Sequence, residues 1–596
     1  MERDFERYWY RDIRQIDSLK QMLTESAELF ADRPAFWVKR EKGQPYEAIS
    51  YQLLKHDVES LGTMLIDMGL AGRRIAVMGQ GCYEWIVSYL AVVCGAGIVV
   101  PVDKDLSAPE IENLMKTAEC DTIFCTRGEC EKLKRSDVIR NLIVMEFYGD
   151  RTSAEELPQA VPVPLKREEM AGDSEIYCWR ELLAEGEKRL REGSSSYTSR
   201  EVDPEALTVI LFTSGTTGNP KGVMLNHRNI TSNIMDVCRI AHILESDKTL
   251  SILPIHHTYE CTLGMLLVLY RGASTAFCEG LKYIVQNMKE AQNTVFIAVP
   301  LMLEMIYSRI WKQAEKQGKD KMLRKAIRIN NRFKSIGIDM SRKLFSQVYK
   351  ELGGKLRMVI TGAAALSPNI YRGFEDLGIT VLQGYGMTEC TPLISGTPQS
   401  AKERYRKAGS VGVPVRAGEV RIVGRDENGI GEILFRGPNV MLGYYDMPEE
   451  TAKALSTDGW LSTGDLGFED KDGWIYLTGR KKNVIVTKTG ENVYPEELEA
   501  YVNDSPYVSD SMVFTSMRNN EETVGVQILP DMEFIQEVTG QIPDEDELYR
   551  MMKKVIGEIN ENLASYKRIR DVFVRKEDFT RTTTKKIRRQ DNLEIR

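Results

Sequence analysis

The chain predicts an α/β fold with largely parallel, buried strands, and three observations carry that expectation. Between residues 50 and 102 an amphipathic run (YQLLKHDVESLGTMLIDMGL), a short apolar run (RIAVMG) and a longer helix-to-strand run (WIVSYLAVVCGAGIVVPVD) follow one another. Short apolar runs return in LTVILFTS, TVFIAVP, RMVITGA and ITVLQGYG, each ending in small or turn residues. Such near-continuous apolarity marks strands covered on both faces. Past about residue 480 the texture changes to short strands (NVIVTKTG, SDSMVFTS, ETVGVQILP, IRDVFVRK) and two helices. One opens at Pro495 with Glu496, Glu497 and Glu499 in its first turns, and the other is EDELYRMMKKVIGEINENLASY. This predicts a large domain over residues 1–481 and a small α+β domain over 482–596.

Composition narrows the class. A chain of 596 residues exceeds a single hydrophobic core, and 42% apolar with 28% charged residues is ordinary for a soluble globular protein. A net charge of −8 argues against a nucleic-acid partner. Ten cysteines without a repeated CxxC read as reduced core thiols of a cytoplasmic protein. The opening MERDFERYWYRD is too polar for a signal peptide, and the longest apolar run contains Gly-Ala-Gly and ends in Pro and Asp, which opposes a transmembrane span. Residues 148–203 are polar and read in part as a surface insertion or linker. Residues 309–350 hold thirteen Lys or Arg against three acids, with Met322, Ala326, Ile329, Phe333 and Ile336 at helical spacing. That pattern reads as an amphipathic helix pair with a solvated basic face, the functional alternative being contact with an anionic membrane surface or a carrier protein.

Chemistry enters at LFTSGTTGNPKG, residues 211–222. Small residues let backbone N–H groups approach an anion, hydroxyls add donors, and Lys221 supplies countercharge, so the loop suits a nucleotide phosphate. Gly222 follows the lysine, so the GxxxxGK[ST] loop and its metal-binding hydroxyl are excluded.

With LPIHHTYE, QGYGMTE, STGDLGFEDKDGWIYLTGRKKN, TKTGENVYPEELE and TRTTTKKIRR following in order, the sequence resembles the adenylate-forming superfamily, and most closely its long-chain fatty acid–CoA ligases. The resemblance implies a large N-terminal domain of α/β subdomains with a distorted β-barrel, and a small mobile C-terminal domain. It implies ATP and Mg²⁺, with Thr213, Ser214, Gly215, Thr216, Thr217, Gly218 and Lys221 on the phosphates. Gly384, Tyr385 and Gly386 would hold adenine, the glycines leaving room for a flat ring. Asp465 would accept from the ribose hydroxyls with Arg480 beside it. Glu389 and Thr213 would serve the metal, and Thr388 the α-phosphate. The catalytic lysine of the family maps to Lys586, although Thr584 and Lys585 stand where many relatives have Ser-Gly. A hinge maps to Lys482, and a swing there would turn Gly490 and Glu491 toward the pantetheine thiol.

For the acid, the resemblance places His257 as a gate, with Tyr259, Gly264, Gly362 and Ala363 around the acyl group. The segment HHTYECTLGMLLVLY is almost entirely apolar and offers only Glu260 as an acid, which favours an alkyl chain over an amino acid. The expected activity is formation of a fatty acyl-adenylate and transfer to CoA. Alternatives are loading of a separate acyl carrier protein, or ligation of an aryl or other carboxylic acid to CoA. Location is expected in the cytoplasm, with peripheral membrane contact left open.

Overall fold

The computed structural model describes residues 5–593 apart from 42, 134–135, 146–173, 214–219, 487–490, 519–520 and 582–585. In it, the helix–strand alternation of the first half builds an eight-stranded sheet. Strands Glu175–Cys178, Asn141–Met145, Thr122–Thr126, Arg73–Met78, Gly97–Val102 and Leu207–Thr213 run parallel in that spatial order. The next strand, Lys221–Asn226, returns antiparallel to Leu207–Thr213, and Gly443–Tyr444 pairs antiparallel with it. Parallelism ends there because only seven residues separate the two strands, too few for a crossover connection.

Part of the expected linker is built into this sheet. Strand Glu175–Cys178 forms its edge, and helix Trp179–Arg191 packs so closely on helix Tyr51–Asp67 that a Cβ at Gly186 would stand 2.0 Å from the Ser60 carbonyl. Tyr197 is buried over Gly62 and Gly95. The segment is polar because helix Trp179–Arg191 buries only a narrow side (Trp179, Leu182, Gly186) and leaves its charges in water. Ser174 is buried too, donating to the Ile139 carbonyl at 2.6 Å.

A second sheet runs Val295–Ala298, Met358–Thr361, Thr380–Gly386, Leu393–Gly396, Val413–Pro414, its first three strands parallel and the rest antiparallel. A third has Lys248–Ser251, Ser274–Phe277, Pro34–Val38 and Glu47–Ser50. Helices Pro300–Lys316 and Asp320–Lys334 follow the first strand of the second sheet. Helix Asp320–Lys334 turns Leu323, Ala326 and Ile327 toward the core, whereas Met322, Ile329, Phe333 and Ile336 are exposed. The helices form as expected, but of the apolar set read from spacing only Ala326 packs inward.

The chain divides into two compact units: residues 1–419 with 436–461, and residues 420–435 with 462–596. The division departs from a single cut at 481 because strand Gly431–Arg436 pairs into a four-stranded sheet with Glu419–Val423, Leu461–Glu469 and Ile475–Arg480. The second unit also holds a three-stranded sheet (Val508–Arg518, Glu521–Pro530, Asp571–Val574) under helices Pro495–Asn503 and Glu545–Glu561. All ten cysteines are free thiols, nine of them buried. Among the described residues no helix is long and apolar enough to cross a membrane.

Candidate active site

Thr213 and Lys221 face each other across the hairpin that carries the phosphate-type loop, and the Thr213 hydroxyl donates to the Lys221 carbonyl at 3.4 Å. Ser214, Gly215, Thr216, Thr217 and Gly218 lie outside the described residues. The Lys221 ammonium lies 2.5 Å from Glu450 Oε2 and 4.8 Å above the Tyr444 ring. Tyr444 in turn donates its hydroxyl to the buried Glu389 carboxylate at 2.8 Å. The lysine and the expected metal carboxylate, far apart in the chain, therefore meet through one tyrosine. Thr388 opens the 3-10 turn Thr388–Cys390 that carries Glu389. A hard, buried carboxylate of this kind fits Mg²⁺.

Lys221 and then Lys453 hold the Glu450 carboxyl down to about 2, so it is anionic at neutral pH. An exposed pair of this type is weak enough to exchange for a phosphate. Glu450→Gln is therefore expected to lower KM for ATP by about two- to five-fold by freeing Lys221. A raised KM in steady-state kinetics would mean that Glu450 positions the lysine instead of competing for it.

Around Tyr385 the glycines let a neighbouring strand come close. A Cβ at Gly386 would stand 1.8 Å from the Pro392 carbonyl, and one at Gly384 2.7 Å from Leu393 Cδ1, so both allow strand Leu393–Gly396 to approach. Tyr385 itself is buried in strand Thr380–Gly386.

The expected acyl residues gather at the carboxyl ends of two parallel strands. Tyr259 O–H is shared between the carbonyls of Ala298 (3.2 Å) and Ile360 (3.1 Å), and Gly362 sits beside the Tyr259 ring. Ala363, next in the chain, holds a left-handed backbone (φ 70°) that only a constrained loop maintains for a non-glycine residue. The His257 ring lies 4.4 Å from that of His256. His256 is buried with Nε2 3.6 Å from Asp103 Oδ2, and burial holds its imidazole down to about 4. At neutral pH this contact is thus a neutral ring beside a carboxylate, not an ion pair.

Tyr259–Leu266 is a π-helix, a form that recurs at functional sites. The room expected at Gly264 is filled: a Cβ there would be 2.8 Å from the Glu260 carboxyl carbon. Burial pushes that carboxyl up to about 8 against the pull of a Ser251 hydrogen bond, and Oε1 finds no partner among the described residues. A raised carboxyl favours the protonated fold, so its contribution is full below the ordinary carboxylate range and is lost as pH climbs from there to about 8. Glu260→Gln should remove that loss. The expected result is a Tm that changes less with pH between about 5 and 8, with a gain of a few kcal/mol at most at the upper end. An unchanged pH slope in calorimetry would show that the folded-state Glu260 carboxyl titrates in its ordinary range.

In the second unit Asp465 and Arg480 stand directly opposite on antiparallel strands, with Arg480 Nε 2.7 Å from Asp465 Oδ1. Thr463 O–H donates to the Ile433 carbonyl at 2.7 Å and accepts from the Asp465 N–H at 3.1 Å, which fixes the acid's backbone. Lys586 is near enough to sense both charges. Its pKa is lowered first by desolvation and then by Arg480, while Asp465 opposes the shift. The side chain is exposed overall, and the like charge of Arg480 pushes the pKa the same way as desolvation. Thr584 and Lys585 lie outside the described residues; the tail is pinned on either side by an antiparallel bridge from Arg581 to Ile587, and Arg581 pairs with Asp510 at 2.7 Å. Lys482 lies in the 3-10 turn Lys481–Asn483, its pKa lowered by desolvation and by Arg480 and Arg589. Gly490 lies outside the described residues; Glu491 enters strand Asn492–Val493.

A sequence profile described as "AMP-binding enzyme" matches residues 23–445, and one described as "AMP-binding enzyme C-terminal domain" matches residues 482–595. The chain belongs to the AMP-binding enzyme family. This AMP-binding enzyme is 29% identical over 560 residues to long-chain-fatty-acid–CoA ligase 1 of Cavia porcellus, covering 88% of this chain and 75% of the relative. It is 29% identical over 582 residues to long-chain-fatty-acid–CoA ligase 5 of Rattus norvegicus, covering 91% and 81%. Its fold matches o-succinylbenzoate coenzyme A synthetase of Bacillus subtilis, solved with ATP and magnesium ion, at a TM-score of 0.67 and 19% identity over 96% of this chain and 98% of that one. Sequence reasoning about this AMP-binding enzyme passed over Tyr444, Glu450, His256 and Asp103. The stretch GYYDMPEET offered a signal, since Pro448 with two following acids opens a helix.

Proposed function

We propose that this enzyme joins a fatty acid to CoA through an acyl-adenylate. The carboxylate oxygen attacks the α-phosphorus of ATP, the α–β phosphoanhydride bond breaks, and pyrophosphate leaves; the CoA thiolate then attacks the acyl carbonyl and AMP leaves. The observation that carries this reading is the Lys586 ammonium within electrostatic reach of the Asp465–Arg480 pair. An acid placed for ribose hydroxyls beside a cation for the developing phosphorane charge is what adenylation requires. Lys221 and Thr213, with the loop between them, would take the β- and γ-phosphates, and Tyr385 would meet adenine. Mg²⁺ held at Glu389 would neutralise polyphosphate charge, its remaining ligands coming from phosphate and water oxygens.

The mostly apolar, buried π-helix Tyr259–Leu266 supports an alkyl acid, with His257 guarding it and Gly362 and Ala363 beside Tyr259. Rotation at Lys482 would exchange Lys586 for Gly490 and Glu491 at the thiol step. The test is AMP formation with ATP and Mg²⁺ across straight-chain acids from acetate to oleate, with aromatic and amino acids as controls, each with and without CoA. The reading expects AMP and acyl-CoA to accumulate together with long straight-chain acids. Pyrophosphate exchange without acyl-CoA would move the acceptor to a carrier protein, preference for an aromatic acid would overturn the alkyl reading, and no turnover with any acid would overturn the reading itself.

A further inference from the structure

Helix Asp320–Lys334 presents an outward face that no described part of the protein covers. Met322, Ile329, Phe333 and Ile336 are 62%, 40%, 38% and 69% exposed, and what matters is that they form one patch. At 100° per residue these four positions fall within about 60° of one line. The turn continues past the helix end, with the Ile336 N–H donating to the Phe333 carbonyl at 3.0 Å. Leu323, Ile327 and buried Asn330 point elsewhere, into the core. The stripe is therefore not the helix's packing face.

Cations flank one side of the stripe. Lys321, Lys325, Arg328 and Arg332 are exposed, and none forms an ion pair among the described residues. No acid other than Asp320 lies on the helix. A row of bulky apolar side chains edged by unpaired Lys and Arg is the arrangement that beds into a bilayer interface, the apolar groups entering the headgroup boundary and the cations meeting anionic lipid. An acidic protein partner would use the cations but leave Ile336 and Met322 without a role. We infer that this face docks the enzyme on an anionic lipid surface.

The position in the fold suits that role. The preceding helix, Pro300–Lys316, starts two residues after Ala298, whose carbonyl receives the Tyr259 hydroxyl at the expected acyl site. On the proposed fatty acid reading, docking would bring the site to the phase that holds its substrate; the docking itself does not depend on that reading.

The experiment is co-sedimentation of the full chain with vesicles of phosphatidylcholine alone and of phosphatidylcholine with phosphatidylglycerol. The native chain is expected to pellet with the phosphatidylglycerol vesicles, to be released by raised salt, and to stay in solution with phosphatidylcholine. An Ile329→Glu/Phe333→Glu variant and a Lys325→Glu/Arg328→Glu/Arg332→Glu variant should each lose at least about ten-fold in partitioning. Both should keep the native thermal midpoint and AMP formation with a short soluble acid. Native-level partitioning by either variant, or no partitioning by the native chain, would overturn the assignment. So would a native dimer that the apolar variant dissociates without any vesicle binding, or selective loss of binding to an acidic carrier protein. Vesicle binding is read without turnover, so its failure is distinct from failure of the ligase reading.

Discussion

Lys586→Ala is expected to lose adenylation by about 10²–10³-fold, the usual cost of removing one preorganised charge from a developing oxyanion. The loss should appear in pyrophosphate exchange, while thioester formation from supplied acyl-adenylate keeps most of its rate, because the lysine is invoked only for attack on phosphorus. The lowered pKa adds a second signature. Desolvation and Arg480 both disfavour the ammonium, so the active, protonated form is lost as pH rises at a value below the ordinary lysine 10.5. The alkaline limb of adenylation should therefore move up in an Arg480→Gln variant, where the repelling charge is gone. Equal losses in both half-reactions would make Lys586 a structural residue of the tail.

Glu389→Gln should be nearly as damaging, by about 10²-fold or more in kcat/KM for ATP, since the amide keeps the shape and removes the charge a divalent cation needs. The buried carboxylate accepts from Tyr444, and the amide oxygen can accept the same bond, so the Tm should hardly move. A matched fall in activity and Tm would point to folding rather than metal. Tyr444→Phe separates the two again: it keeps the ring beneath Lys221 and deletes only the bond to Glu389.

Much of this was legible in the chain because the relevant physics is local. Apolar runs ending in small or turn residues predict the parallel strands, and a DKDG turn between STGDLG and YLTGR brings Asp465 opposite Arg480 by hairpin register alone. What stayed hidden depends on distant partners. Gly384 and Gly386 read as space for a base, and they also admit Pro392 and Leu393 of a strand whose pairing no spacing rule reveals. Gly264 misled in the same way, its room taken by Glu260 one turn earlier. Tyr444 and Glu450 went unread because their importance lies in reaching Glu389 and Lys221. Residues 148–203 read in part as linker because their polarity hides the narrow buried side of helix Trp179–Arg191. The spacing of Met322, Ile329, Phe333 and Ile336 was visible, but spacing alone does not say which stripe of a helix faces inward.

The division of the chain into two units has a mechanical corollary. The backbone passes between them at 419/420, 435/436 and 461/462, so turning the whole second unit would strain three strands at once. A rotation confined to residues beyond the short turn Lys481–Asn483 strains a single connection. Such a movement leaves Asp465 and Arg480 behind, together on their hairpin, and carries Lys586 away from them. The attraction of Asp465 holds the lysine there while desolvation and Arg480 oppose it, so on the proposed reading the pKa of Lys586 would rise toward its ordinary value when the lysine leaves, and would report which pose the protein holds.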